Sequence, residues 1–244
     1  MIHSRRREIQ SNMTDIQKAL YAFQDLSFRA FQCRLMPTVP PETVIGVRMP
    51  ALHAVVQKIN NTPQAARFLQ KLPHQYYEEN NLHALLIGQI DDFDQAIAAL
   101  DTFLPFVDNW STCDIKPPDI LSRHPQRLFL QIKAWISSPH EYAVRYAVGL
   151  LMRFYLDDLF DASHLTLVSQ IQRDEYYINM MIAWYFATAL VKQYDAALPF
   201  LTEKRLPVWI HNKAIQKAIE STRIPTRQKL FLRKLRYKAP KQNC

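Results

Sequence analysis

The feature that most restricts the fold of this chain is a helical spacing of apolar residues, which runs from about residue 14 to residue 237. Apolar residues recur at intervals of three and four in segments such as 14–35, 51–59 and 142–156, which places them on one face of a helix. Prolines lie between these segments or at their starts, where a helix tolerates a residue without an N–H group. No segment has the alternation of a strand bounded by hairpin turns. The pattern therefore predicts an all-α fold.

A repeat is visible within this pattern. An aromatic residue stands near the start of four predicted helices, and these residues are 34, 32 and 34 positions apart: Tyr76, Trp110, Tyr142 and Tyr176. A period in the thirties over paired helices is typical of HEAT-like or TPR-like repeats, and the TPR consensus is absent. We therefore predict a HEAT-like helical repeat solenoid, an α-α superhelix, as a single domain over residues 13–238. Equivalent positions of successive repeats are expected to line its concave face.

Composition excludes several other classes of protein. The chain is 48% hydrophobic and 21% charged, which is typical of a globular protein and not of a disordered one. No apolar run approaches the roughly 18 residues that a membrane span needs. Only three glycines occur, which argues against a nucleotide-binding loop, because such loops need clustered glycines.

The termini and the cysteines bear on location. Residues 1–12 lack the apolar stretch of a secretory signal and are predicted to be a disordered extension, and residues 239–244 are predicted to be a frayed tail. The three cysteines have no paired spacing, so they predict neither disulfides nor a zinc site. These features favour the reducing cytoplasm.

Positive charge is concentrated at the C-terminal end. Residues 200–244 contain twelve Lys and Arg against two Glu, a net charge of +10, whereas residues 1–12 contribute +2. The whole chain carries +8, so residues 13–199 carry −4. A basic segment of this kind favours a polyanionic partner, DNA or RNA before a membrane. The alternative is a solvated charged helix that only aids solubility.

Trp110 and Asp114 are four residues apart, so in a helix the indole and the carboxylate lie on the same face. In the register of the repeat, Asp114 and Arg145 are predicted to project from neighbouring helices toward one groove. Trp184 lies two turns beyond Tyr176 on its predicted helix and is expected to close the far side of that groove. Core packing alone does not require this set of side chains.

At these residues the chain resembles the AlkD-type bacterial DNA alkylation repair glycosylases, a family built of HEAT-like repeats around DNA. The resemblance rests on Trp110-x3-Asp114, on Arg145 and on Trp184, which follows Arg145 by 39 residues, and it extends from about Asp25 to Arg236. One position departs from the family: an early helix that carries an aromatic hydroxyl in the best-studied branch has Ser27 and Phe28 here.

The resemblance implies hydrolysis of the N-glycosidic bond of cationic N3- or N7-alkylated purines in double-stranded DNA. Asp114 would stabilise the oxocarbenium ion and orient the attacking water, and Trp110 and Trp184 would flank the sugar. Arg145 would hold a backbone phosphate. We expect a monomer that needs no metal and no organic cofactor.

Further DNA contacts are predicted in the basic C-terminal part of the chain. Lys213, Lys217 and Arg223 are candidate phosphate contacts. His211 is a fourth, because His211 and Asn212 are predicted to begin a helix, whose first N–H groups favour phosphate.

Each catalytic or phosphate-binding residue also has a purely structural interpretation. Trp110 could pack between repeats, and Asp114 could cap the next turn. Arg145 could form an ion pair with Asp114 or Glu141, and Trp184 could belong to the core.

Two pairs of residues are interpreted as structural from the outset. Glu78 and Glu79 follow Tyr76 at nearly the same repeat positions at which Asp114 and Arg145 follow their own aromatics. A carboxylate pair that faced DNA would, however, repel it. Trp135 and Trp209 are predicted to be packing residues.

Two other functions stay open at this point, a non-catalytic HEAT-like protein that binds damaged or branched DNA and a helical scaffold for another protein.

Overall fold

A computed structural model describes residues 13–238, and within that range the chain forms fourteen α-helices, three short 3-10 helices and no strand. The all-α prediction is confirmed. The predictions for residues 1–12 and 239–244 lie outside the described residues. Contacts divide the chain into two compact units, with the boundary between Pro125 and Gln126.

In the first unit, alternate helices along the chain contact one another. Along the chain, α1 contacts α3, α3 contacts α5, and α5 contacts the short helix α7. A core of buried apolar side chains, among them Leu20, Leu52 and Leu82, lies between these helices. The helices are α1 (Asp15–Tyr21), α2 (Leu26–Leu35), α3 (Met49–Ile59), α4 (Pro63–Leu69), α5 (Tyr77–Ile87), α6 (Phe93–Phe103) and α7 (Trp110–Cys113).

The segment 14–35, predicted as a single helical stretch, is divided into α1 and α2 by a break after Tyr21. Asp25 causes the second helix to start anew, because its carboxylate accepts the backbone N–H of Phe28 at 2.9 Å as an N-cap. The backbone N–H of Asp25 donates to the carbonyl of Gly46 at 2.9 Å, which fixes the break to the following loop. Apolar periodicity continues through the break, so it does not reveal it.

Glu78 attaches that loop to α5. Its carboxylate is fully buried and accepts three successive backbone N–H groups, those of Ile45 at 2.8 Å, Gly46 at 2.6 Å and Val47 at 3.1 Å. Gly46 has φ of 93°, a conformation that favours glycine. Burial raises the pKa of Glu78, and the three amide donors oppose that rise.

Glu79, the next residue, caps α5 by accepting the N–H groups of Gln75 at 3.2 Å and Tyr76 at 3.0 Å. The structural interpretation of Glu78 and Glu79 agrees with these contacts.

The second unit repeats the alternation. Here α9 contacts α11, and α11 contacts α13, while α12 packs on α11 and α14 packs on α13. Its core includes Leu151, Phe186 and Ile215. The helices are α8 (Pro125–Ile136), α9 (Glu141–Phe154), α10 (Ala162–Ser169), α11 (Tyr176–Lys192), α12 (Tyr194–Thr202), α13 (Val208–Glu220) and α14 (Thr226–Leu235).

The four aromatic residues of the repeat occupy the predicted positions. Tyr76 immediately precedes α5, Trp110 and Tyr176 begin α7 and α11, and Tyr142 is the second residue of α9. The four do not share one environment, however, since Tyr76 and Tyr142 are buried, Trp110 is partly buried, and Tyr176 is exposed.

Candidate functional site

Trp110 and Asp114 lie on one helical turn of the first unit, as their spacing predicts. Helix α7 contains only Trp110–Cys113, and Asp114 ends it. The backbone N–H of Asp114 donates to the carbonyl of Trp110 at 3.0 Å, which places the two residues one turn apart. The turn thereby fixes the separation of the indole and the carboxylate along the helix axis.

A buried polar network shapes this turn. Asn109 is the N-cap of α7, and its side-chain oxygen accepts the N–H of Thr112 at 2.8 Å. The Asn109 amide donates to the hydroxyl of Thr112 at 3.0 Å, and that hydroxyl donates to Asn81 on α5 at 2.7 Å. A helix of four residues has too few internal hydrogen bonds to persist alone, so these contacts define its geometry.

The indole of Trp110 is held by a second set of contacts. Its N–H donates to the carbonyl of Leu35, the last residue of α2, at 3.3 Å. The ring packs against a small apolar cluster that includes Met36, Val39 and Tyr77. Trp110 therefore does have the packing role of the structural interpretation, and this packing also fixes the direction of its ring.

Asp114 is partly exposed, whereas its neighbours Cys113 and Ile115 are buried. The next helical turn is a 3-10 helix that starts after Pro118 and has no side-chain cap. The alternative in which Asp114 serves as the cap of that turn is therefore not supported. A partly exposed Asp114 therefore lies one helical turn from a fixed indole.

Arg145 is the largest of the fully buried side chains, with 1% of its surface exposed. Its guanidinium donates to the backbone carbonyl of Tyr177 at 2.9 Å and lies 5.6 Å from the centre of the Trp184 ring. It therefore joins α9 to the first turn of α11 and covers one indole. Its predicted phosphate contact stays a prediction.

Trp184 is partly exposed although the chain on both sides of it is buried. Ala183, Tyr185 and Phe186 have no exposed surface, whereas Trp184 continues the accessible stripe of α11 that begins at Tyr176. Trp184 is therefore at the edge of the core and not inside it. The Arg145 guanidinium lies over this ring, and a cation favours the face of an indole.

The structure thus assembles two pairs of predicted residues, each within its own unit. Trp110 and Asp114 form one pair in the first unit, and Arg145 and Trp184 form the other in the second. That the two pairs meet in one groove stays a prediction of the repeat register.

Two predictions about α13 are wrong. The helix begins at Val208, after Pro207, so His211 and Asn212 lie in its second turn and not at its start. The N–H of His211 is used inside the helix, where it donates to the carbonyl of Pro207 at 2.8 Å. The imidazole is fully buried and contacts the carbonyl of Leu235 at 2.9 Å, and burial lowers its pKa. This environment offers no phosphate contact to His211.

The other three predicted DNA contacts have accessible side chains. Arg223 is exposed, and Lys213 and Lys217 are partly exposed on α13. Lys217 forms an ion pair with Glu220 at 2.9 Å, and Lys213 donates to Gln216 at 3.2 Å. These local contacts leave the lysines at the surface.

Ser27 and Phe28, the positions that depart from the family pattern, have local partners. The Ser27 hydroxyl donates to Asp25 at 2.6 Å, and the guanidinium of Arg48 lies 4.5 Å from the centre of the Phe28 ring. Arg48 also forms an ion pair with Asp25 at 3.0 Å. A cation and an aromatic ring therefore occupy this place.

The two tryptophans predicted to be packing residues differ. Trp135 is buried against Tyr146, with ring centres 5.6 Å apart, and that prediction is confirmed. Trp209 is 41% exposed, and that prediction is wrong. Trp209 follows Tyr176 by 33 residues and so continues the aromatic repeat into α13, but that repeat contains both buried and exposed rings.

Comparison with known proteins adds a family to this geometry. None of the helices within residues 13–238 has the length and apolar character of a membrane span. A search of curated proteins finds no match. The family model described as DNA alkylation repair enzyme matches residues 16–218, which include Trp110, Asp114, Arg145 and Trp184. The chain therefore belongs to the DNA alkylation repair enzyme family.

Proposed function

We propose that this protein is a monofunctional DNA glycosylase, which releases purines alkylated at N3 or N7 from double-stranded DNA and leaves an abasic site. The proposal rests on the family and on the Trp110–Asp114 turn. We expect it to act as a monomer in the reducing cytoplasm.

The chemistry begins with a base that is already a good leaving group. Alkylation at N3 or N7 gives the purine a positive charge, so the base leaves as a neutral molecule when it takes the electron pair of the C1′–N bond. Positive charge then develops on the deoxyribose. An enzyme for this reaction must stabilise that charge and direct water to C1′, and it has little need to protonate the base.

Asp114 is proposed for both tasks. An ionised carboxylate near C1′ stabilises the oxocarbenium ion, and its second oxygen can accept a hydrogen bond from the attacking water. The accessible position of Asp114 beside the Trp110 ring supports this role.

Trp110 and Trp184 are proposed to flank the sugar. An indole face attracts cationic groups, with about 0.5–2 kcal/mol for each contact, and the attraction grows as the oxocarbenium ion develops. Arg145 is proposed to orient Trp184 and to contribute positive charge toward a DNA phosphate. Lys213, Lys217 and Arg223 would neutralise further phosphates.

The observation that carries the proposal is the pairing of a partly exposed Asp114 with a fixed indole on a turn of four residues. The turn depends on a buried hydrogen bond with Asn81 and on the contact of the Trp110 indole with the Leu35 carbonyl, which is more support than a surface loop requires.

The test is an assay of base release from methylated duplex DNA. Asp114→Asn keeps the size of the side chain and removes its charge, so we expect release to fall by about 10²–10³-fold, the range for loss of one electrostatic stabiliser of a transition state. Binding of the duplex should change little. Asp119→Asn is the matched control, because Asp119 is an exposed carboxylate nearby that pairs with Lys116. Full activity of Asp114→Asn would remove Asp114 from the mechanism.

Salt dependence separates this proposal from the other functions. If phosphate contacts dominate binding, DNA affinity should fall steeply as salt rises. Tight binding without base release from any lesion would instead favour a non-catalytic protein that binds damaged or branched DNA, and affinity that is insensitive to salt would favour a protein scaffold.

A further inference from the structure

Two exposed aromatic rings form a corner on the second unit. The rings of Tyr176, the first residue of α11, and Trp209, in the first turn of α13, have centres 5.6 Å apart and planes 66° apart. Both side chains are large and accessible, with 54% of Tyr176 and 41% of Trp209 exposed. We refer to Tyr176 and Trp209 as the aromatic corner.

The corner is anchored from behind. Tyr176 packs edge to face on Tyr177 at 5.1 Å, and Tyr177 lies 6.0 Å from the buried ring of Tyr142 on α9. These contacts, together with the ring contact to Trp209, fix the position of the outer rings. The burial of the inner residue Tyr142 and the exposure of the outer two show that the row runs from the core to the surface.

Positive charge lies beside the corner. The ammonium group of Lys213, one turn after Trp209 on α13, is 5.5 Å from the centre of the Trp209 ring. Lys217 follows one turn later, and its charge is balanced by Glu220. Lys213 has a neutral hydrogen-bond partner, Gln216, so its charge remains available to an anion.

The shape and charge of the corner restrict what it can bind. An exposed ring face offers a stacking surface for another flat, aromatic group, and base stacking on such rings is tolerant of sequence. In an intact duplex the bases are stacked on each other and show only their edges in the grooves. A nucleotide displaced from the stack has both a free base face and a phosphate, which match the rings and the ammonium group.

We propose that Tyr176, Trp209 and Lys213 form a binding site for a nucleotide displaced from the DNA duplex. Its base stacks in the aromatic corner, and its phosphate contacts the ammonium group of Lys213. The site is distinct from the Trp110–Asp114 turn and rests on the proposed function only in that the partner is DNA. It would hold the duplex in a distorted form once a nucleotide has left the stack.

The test compares two unalkylated duplexes of the same sequence, one fully paired and one with a single unpaired adenine. Affinity is measured by fluorescence anisotropy with the full-length protein. The wild type should bind the bulged duplex more tightly. Trp209→Ala and Tyr176→Ala should each weaken binding of the bulged duplex about tenfold, the scale of losing one base-stacking ring, and change binding of the paired duplex by less than about twofold.

Three variants control the interpretation. Trp209→Phe keeps a stacking ring and should retain most of the preference for the bulge. Val208→Ala truncates an equally exposed apolar neighbour and should change neither affinity. Lys213→Gln should weaken both complexes and reduce the salt dependence of binding by about one charge. Thermal unfolding verifies that each variant is folded. If Trp209→Ala does not fold, the comparison of Tyr176→Ala with the wild type decides whether the aromatic corner binds the nucleotide.

Equal losses on the two duplexes, or no loss on the bulged duplex, would overturn the aromatic corner as a nucleotide site, as would a wild type without preference for the bulge. Neither duplex is alkylated, so these results are independent of catalysis. If the protein prefers the bulged duplex but releases no methylated base, only the glycosylase proposal is refuted. If it releases methylated base without preferring the bulged duplex, only the proposed nucleotide site is refuted.

Discussion

The three hydrogen bonds to Glu78 lead to a prediction that separates two neighbouring carboxylates. In Glu78→Gln, the remaining carbonyl oxygen can replace the atom that accepts Gly46 and Val47, both of which donate to the same oxygen. The new NH₂ group then faces the N–H of Ile45, which now binds the other oxygen at 2.8 Å. Two donors meet, and neither has an acceptor.

The cost follows from the burial of this position. An unsatisfied buried polar group costs about 1–3 kcal/mol, so two of them destabilise the protein by about 2–6 kcal/mol. Glu79→Gln is the matched control, because Gln75 and Tyr76 donate to one and the same oxygen of Glu79. One carbonyl oxygen preserves both bonds and also the 3.4 Å contact of Gln17 with that oxygen. Only the 3.2 Å contact of Gln17 with the other oxygen is lost, at a cost of about 1 kcal/mol.

The assay is urea unfolding of both variants at neutral pH, followed by circular dichroism, with the free energy of unfolding obtained by linear extrapolation. Unfolding must be checked for a single transition, because the chain has two compact units. Equal free-energy losses in the two variants, or a loss below about 1 kcal/mol for Glu78→Gln, would show that the arrangement of donors does not determine stability here.

Two further predictions concern buried cations and imidazoles. Burial lowers the pKa of His74 to about 4 and that of His83 to about 3, so the unfolded chain, with a histidine pKa near 6.5, takes up protons that the folded chain does not. The free energy of unfolding should be highest above about pH 6.5 and fall with acidification toward pH 4, by up to about 1.4 kcal/mol per pH unit for each histidine. Urea midpoints measured across this range should show a smaller slope for His83→Phe. An unchanged slope would contradict the prediction. Arg145→Lys should lower the free energy of unfolding by about 1–3 kcal/mol, because a lysine cannot both stack on Trp184 and donate to the Tyr177 carbonyl as the planar guanidinium does. If Arg145→Lys has the same unfolding curve as the wild type and an unshifted Trp emission spectrum, that role of Arg145 is refuted.

The helices and the repeat could be predicted from the sequence because both depend on local spacing. The period of apolar residues predicts an all-α fold, and the interval of aromatics marks the starts of alternate helices. The Trp110–Asp114 turn was likewise predictable, since a separation of four residues has one meaning in a helix.

Features that depend on tertiary contacts were not predictable in the same way. The break before Asp25 and the start of α13 at Val208 are set by caps and prolines, which the apolar period passes over. The exposure of Trp209 and the burial of His211 are decided by what packs on each face of α13, and apolar character alone does not give that.

The shortness of α7 has a consequence for how the proposed active site could be lost. Its four residues are held in place by hydrogen bonds to Asn81 on α5 and to the carbonyl of Leu35, the last residue of α2. Loosening either of those helices would let the indole and the carboxylate drift apart while both residues stayed intact. A comparison of family members by their proposed catalytic residues alone would then classify an inactive protein as active.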